Sequence, residues 1–165
     1  MNGTGGLRVA TPGDTAIVMT RSFDAPRRLV FDAWTKPELL VRWYGARGWS
    51  LVVCKVDLRV GGAWRFVQRG PGGTEMGQSG VYREIVPPER LVYTEVFDNQ
   101  SYPGESLVTH VFTAAGGRTT VSSTVVYPSK EARDIVLAYP MRRGVAESFV
   151  RLDEVLTAQM QGDTA

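Results

Sequence analysis

An α+β fold is predicted: a curved antiparallel sheet wrapped around a long C-terminal helix, with elements in the order β-α-α-β6-α. Three observations carry this. From Ser50 to Tyr127 apolar residues recur with period two, punctuated at regular intervals by Gly and Pro, the pattern of hairpin-connected strands. After Pro128 the period becomes helical. Met141, Val145, Phe149, Leu152 and Leu156 then form one apolar stripe on a helix of about 20 residues. No strand–helix–strand alternation occurs, which argues against a doubly wound nucleotide-binding sheet. A large antiparallel sheet needs a cover on one face, and the terminal helix supplies it.

Each element has its own reason. Residues 1–14 are rich in Gly and Thr and read as a flexible lead to a single domain over 15–161. Thr15–Phe23 is β-branched and weakly alternating, a strand. Asp24 offers a capping carboxylate, with Pro26 in the first turn, where a missing N–H costs nothing. Leu29, Val30, Ala33 and Trp34 then share one helical face. Thr35 and Pro37 cap and open a second short helix carrying Leu39, Leu40 and Trp43, and Gly45 and Gly48 end it. Six strands follow, at Leu51–Leu58, Ala63–Arg69, Gln78–Val86, Arg90–Asp98, Ser106–Ala114 and Arg118–Tyr127. Ser129 starts a helical stretch through Ala138, which Pro140 breaks or kinks before the final helix.

Composition narrows the function. With 165 residues and 43% apolar content the chain forms one core. Roughly 68–70% of its unfolded surface is buried at that size, so folding requires no disulfide or metal. The single Cys54 and single His110 exclude a cysteine framework and a Cys/His zinc site. Basic residues are interleaved with acids (Arg27, Arg28, Asp32, Lys36, Glu38), so no nucleic-acid arm is expected. No secretory or transmembrane apolar stretch is found, and a lone cysteine fits a reducing compartment, so a cytoplasmic location is expected. Neither the phosphate-loop, dinucleotide, nucleophile-elbow nor HExxH motif is present. The Gly70–Gly73 cluster joins two strands and reads as a hairpin turn.

Several motifs together resemble one family. They are Asp24-Ala25-Pro26, Val30-Phe31-Asp32-Ala33-Trp34, Trp43-Tyr44-Gly45-Ala46, Gly61-Gly62-Ala63-Trp64, Gly80-Val81-Tyr82-Arg83-Glu84-Ile85, Pro87-Pro88-Glu89-Arg90-Leu91 and Arg151-Leu152-Asp153-Glu154-Val155-Leu156. In this order, over about residues 15–160, they resemble proteins related to the activator of the ninety-kilodalton heat-shock-protein ATPase, within the START and birch-pollen-allergen (SRPBCC) superfamily. The resemblance implies a helix-grip fold with a cavity between sheet and helix. It implies no single reaction, since the superfamily includes lipid carriers, hormone receptors, polyketide cyclases and chaperone co-factors. The chain departs from the pattern at Pro140-Met141-Arg142, where Gly-Met-Glu is usual, and at Ala46, where Pro is usual.

The residues that could line such a cavity are Trp43, Trp49, Trp64, Phe66, Tyr82, Tyr93, Phe97, Phe112, Met141 and Phe149, with Arg65, Glu95 and His110 as polar groups. Each aromatic is alternatively plain core. His110 is either a general base or hydrogen-bond donor, or a histidine bonded to its strand neighbours. Glu95 lies between Tyr93 and Phe97. Facing inward it needs a partner, for which Arg65 and His110 are the candidates; facing outward it is a cross-strand charge. A one-residue change of register reverses that answer. Cys54, between Val52 and Val56, reads as a buried inert thiol.

The expected function is binding of a small, largely apolar ligand between the sheet and the last helix. The alternatives are a chaperone co-factor-like interaction module and a cyclase, dehydratase or hydrolase using His110 and Glu95. No cofactor, metal, nucleic acid or membrane partner is expected, and a homodimer is left open.

Overall fold

The computed structural model describes residues 6–164. Its strands are β1 (Arg8–Ala10), β2 (Ala16–Phe23), β3 (Ser50–Val56), β4 (Ala63–Arg69), β5 (Glu75–Val86), β6 (Arg90–Phe97), β7 (Ser106–Ala115) and β8 (Arg118–Val126). Its helices are α1 (Arg27–Thr35), α2 (Pro37–Trp43), α3 (Lys130–Leu137) and α4 (Met141–Thr164). The strands form one curved, open antiparallel sheet in the order β1-β2-β8-β7-β6-β5-β4-β3. Consecutive strands β3 to β8 are a meander, as the turn signals require, and β2 closes onto β8.

Helix starts differ from the sequence expectation. The residue capping α1 is Pro26, without a side-chain bond. Asp24 instead pairs with Arg118 across 2.6 Å, a contact between distant segments that local pattern does not contain. Thr35 closes α1, its hydroxyl donating to the Phe31 carbonyl at 3.1 Å, and Lys36 caps α2 with Pro37 in the first position. Pro140 separates two helices, because it cannot supply the N–H that a continuous helix needs. Ser129 caps α3 by accepting the Ala132 N–H at 3.0 Å. Ser129→Ala is expected to cost about 1 kcal/mol of stability, read from denaturant unfolding.

Within the segment expected to be a lead, Arg8–Ala10 pair with Val18–Thr20 as an edge strand. The buried Arg133 guanidinium donates to the Gly13 carbonyl at 2.9 Å, and Arg142 donates to the Leu7 carbonyl at 3.1 Å. These long-range bonds, invisible in a three-residue pattern, hold the segment against α3 and α4.

Helices α1, α2 and α4 cover the concave face of the sheet. Phe23 of β2 meets Phe149 of α4 edge-on at 5.4 Å, and Trp34 of α1 meets Trp43 of α2 at 4.9 Å. The apolar stripe expected on the last helix is buried at Phe149, Leu152 and Leu156, while Met141 and Val145, nearer its start, are half-buried. Beneath α3 lies a second apolar cluster around Ile17, Tyr102, Val108, Val125 and Tyr127. No helix is long and apolar enough to cross a membrane, among the described residues.

Candidate functional site

The strand register decides which side chains face the helices. On β6 that inner row is Leu91, Tyr93, Glu95 and Phe97; on β7 it is Val108, His110 and Phe112. Two chains of hydrogen bonds run across this face. In the first, the Tyr93 hydroxyl lies 2.8 Å from His110 Nε2, and His110 Nδ1 lies 2.7 Å from Ser123 Oγ. In the second, the Gln68 amide donates to Gln78 Oε1 at 3.2 Å. Gln78 Nε2 then donates both to the Tyr44 hydroxyl at 3.0 Å and to Glu95 Oε2 at 2.7 Å.

The two chains differ in electrostatics. Burial pushes His110 down to about 3, so it is neutral at physiological pH, with one nitrogen donating and the other accepting. Burial holds Tyr93 well above its ordinary range. The first chain is therefore an uncharged brace with both imidazole nitrogens engaged. Glu95 is different: burial pushes its carboxyl up to about 7, opposed by the bond from Gln78. Cys54, half-buried on the same face, has its thiol pushed up to about 11 by burial and stays protonated.

A test of the Glu95 environment follows from linkage. The folded state holds a proton that the unfolded chain, titrating near 4.5, releases first. Stability contributed by this group is therefore present below about pH 4.5 and is lost as pH rises to about 7. Glu95→Gln, which carries no charge, is expected to match the parent near pH 4. Above pH 7.5 it should exceed the parent by on the order of 2–3 kcal/mol in chemical denaturation. Equal stability of the two proteins at both pH values would place Glu95 in water.

Aromatic side chains of this interior also meet in a closed circuit. Trp34, Trp43, Tyr44, Phe66, Trp64, Tyr93 and His110 meet in that order and return to Trp34, with successive ring centroids 4.8 to 5.6 Å apart. All seven contacts are edge-on or tilted, the arrangement favoured by ring quadrupoles.

Most of the residues expected at a cavity share this interior, in two groups. Trp43, Phe112 and Phe149 are each buried against Trp34, and Trp43 also meets Phe149, as close-packed core. Trp64, Phe66, Tyr82, Tyr93, Glu95, Phe97 and His110 line the inner face of the sheet. Met141 starts α4 beside the second cluster. Two expected residues lie elsewhere. Arg65 does not reach Glu95: it forms a paired bond with Asp98, at 2.6 and 2.7 Å, on the outer face above Gly77. The reason is register, because Arg65 falls between the inward Trp64 and Phe66. Trp49 precedes β3 and lays its ring on the bare backbone of Gly70, where any side chain would overlap it.

Sequence reasoning missed Tyr44, Gln68, Gln78 and Ser123. A usable signal existed for the glutamines, since Gln68 continues the row Trp64, Phe66 and Gln78 precedes Gly80 and Tyr82, polar groups on an apolar period. Two surface depressions lie outside the interior, one formed by Lys130, Glu131, Asp134, Ile135 and Ala138, the other by Asp24, Asp153, Leu156 and Thr157. Neither contains an expected site residue. No group of three His, Cys, Asp or Glu suited to a metal ion occurs among the described residues.

A curved, unclosed antiparallel sheet packed on a long terminal helix defines the helix-grip class. Residues 24–157 match the model of the Activator of Hsp90 ATPase homolog 1-like protein family, and the chain belongs to that family. A Rhodobacter sphaeroides protein of known structure is 33% identical, covering 93% of this chain and 99% of its own, with a TM-score of 0.87. A Chromobacterium violaceum protein is 26% identical, covering 86% of this chain and 96% of its own, with a TM-score of 0.74. An HSP90 activator from Plasmodium falciparum is 25% identical, covering 69% of this chain and 74% of its own, with a TM-score of 0.54. A search of curated proteins finds no match.

Proposed function

We propose that this protein is a cytoplasmic binding module for a small, largely apolar molecule held between the inner face of the sheet and helix α4. The observation that carries the reading is the second polar chain. Gln68, Gln78, Tyr44 and Glu95 are set into an aromatic interior where a polar group without a task only costs stability. The Glu95 carboxylate receives a hydrogen bond from Gln78 at Oε2, and its side chain is half-buried. Tyr44, Cys54, Tyr93, Glu95 and Phe97 on this face are also incompletely covered. An apolar site with a few convergent polar groups is the usual form of a small-molecule pocket.

Titration of the full chain with a panel of apolar ligands tests this. The fluorescence of Trp34, Trp43 and Trp64 and NMR shifts of inner-face methyl groups report occupancy. Saturable change at both readouts is expected, and no binding up to millimolar concentration would overturn the reading.

Membership of the activator family supports a second reading, a chaperone co-factor. Its direct measurement is the ATPase rate of an HSP90-type chaperone with and without this protein. An enzymatic reading would rest on Glu95 alone, because neutral His110 has both nitrogens engaged and is a weak base.

A further inference from the structure

We propose that the interior ligand carries an organic cation, a protonated amine or quaternary ammonium on an apolar body, received by Glu95 among the aromatic rings. This rests on the small-molecule reading above and narrows it to a chemical class.

The first support is the choice of residue. Two neighbouring inner-row positions, 68 and 78, hold glutamine, so a neutral amide is readily accommodated on this face. Position 95 holds a carboxylate instead, which is more costly to remove from water unless a positive charge meets it. Arg65, the arginine expected to meet it, is engaged with Asp98 on the outer face. What Glu95 does receive is one neutral N–H, from Gln78.

The second support is the direction of the hydrogen bonds. Because Gln68 donates to Gln78 Oε1, the Gln78 amide is oriented with its NH2 towards Glu95 and Tyr44. That amide satisfies Oε2 and leaves Oε1 available as an acceptor. To the ionised carboxylate a ligand bound there must donate or be positive.

The third support is the wall. Tyr44 shares the Gln78 amide with Glu95, and Tyr93 and Phe97 flank Glu95 along the inner row of β6. Burial first, and then the Glu95 charge, push the Tyr44 and Tyr93 hydroxyls upwards, so both remain neutral. Aromatic faces carry negative quadrupole charge, and rings beside a carboxylate favour an ammonium group. An uncharged ligand uses the rings and at most a neutral hydrogen bond to the carboxylate, whereas a cation adds its charge.

Calorimetric titration of the full chain with 1-octanol, octylammonium and octyltrimethylammonium tests the inference, using probes that share one tail. At about pH 8 at least one cation is expected to bind roughly tenfold or more tightly than the alcohol, as a charge-assisted contact in an apolar site allows. The ratio should fall towards one at about pH 5.5, as Glu95 takes up a proton, and also in Glu95→Gln. A preference for octylammonium indicates the Oε1 hydrogen bond, and one for octyltrimethylammonium the aromatic faces. If octanol binds as tightly as both cations, or if the preference survives in Glu95→Gln, the cation inference is overturned while apolar binding stands. If none of the three binds, both readings are overturned.

Discussion

Gly80→Ala is expected to yield no stably folded protein. Gly80 lies opposite Trp64 in the β4–β5 ladder, where β5 and β6 approach unusually closely. A Cβ there would overlap the backbone carbonyl oxygen of Thr94 and sit 2.6 Å from Trp64 Nε1. The indole N–H crosses this bare backbone to donate to the Thr94 carbonyl at 3.2 Å. The adjoining Val81 N–H bonds to the Thr94 hydroxyl at 3.0 Å. Neither obstacle is a flexible side-chain end, so relief requires the strands to part and the buried indole bond to break. The cost exceeds the roughly 1–3 kcal/mol of ordinary overpacking and takes a large share of a total stability of about 5–15 kcal/mol. Circular dichroism and the soluble yield measure it. Gly6→Ala, where a Cβ meets nothing within 4 Å, is the control and should be neutral. A cooperative melt of Gly80→Ala near that of the parent would show that the close approach of β5 and β6 is not needed.

Trp34→Ala is expected to lose about 3–5 kcal/mol, the range for removing a large aromatic from a packed core. Trp34 is 6% exposed and meets Phe23, Trp43, His110, Phe112 and Phe149, with centroids 4.9 to 6.2 Å away. It is the ring at which α1, α2, α4, β2 and β7 converge. Its loss opens the aromatic circuit and strips one neighbour from His110, so ligand titrations should weaken in the same variant. Tyr139→Ala, at 68% exposure between α3 and α4, should change stability by less than about 0.5 kcal/mol. A Trp34→Ala cost no larger than that of Tyr139→Ala would mean that the core collapses around the missing ring.

These two positions show how unevenly the site was legible. Trp34 announces itself through the helical face it shares with Leu29, Val30 and Ala33, four residues after Val30, and its burial follows from that face. Gly80 reads in one dimension only as a weak point in a strand. Its importance comes from the Thr94 carbonyl and the Trp64 indole, which approach from other strands. Glu95 is intermediate: its residue type marked it as costly if inward, yet its partner is Gln78 on β5, not Arg65 or His110. That choice depends on β5–β6 pairing, where the register shifts between Tyr82 and Glu84. Bulges of this kind follow from sheet curvature and leave no mark in local alternation.

The sequence by itself determined the element types, the meander of β3 to β8, the break at Pro140 and the buried stripe at Phe149, Leu152 and Leu156. Each of these follows from interactions between residues a few positions apart: periodicity, turn chemistry and proline's missing N–H. Tertiary structure alone decided that Arg8–Ala10 join the sheet, that Asp24 pairs with Arg118, and that Arg65 points outward to Asp98. It also drew Gln68, Gln78, Tyr44 and Glu95 into one chain. Those contacts join residues up to about a hundred positions apart, and a period of two leaves each strand a choice of face that only packing against its neighbours resolves.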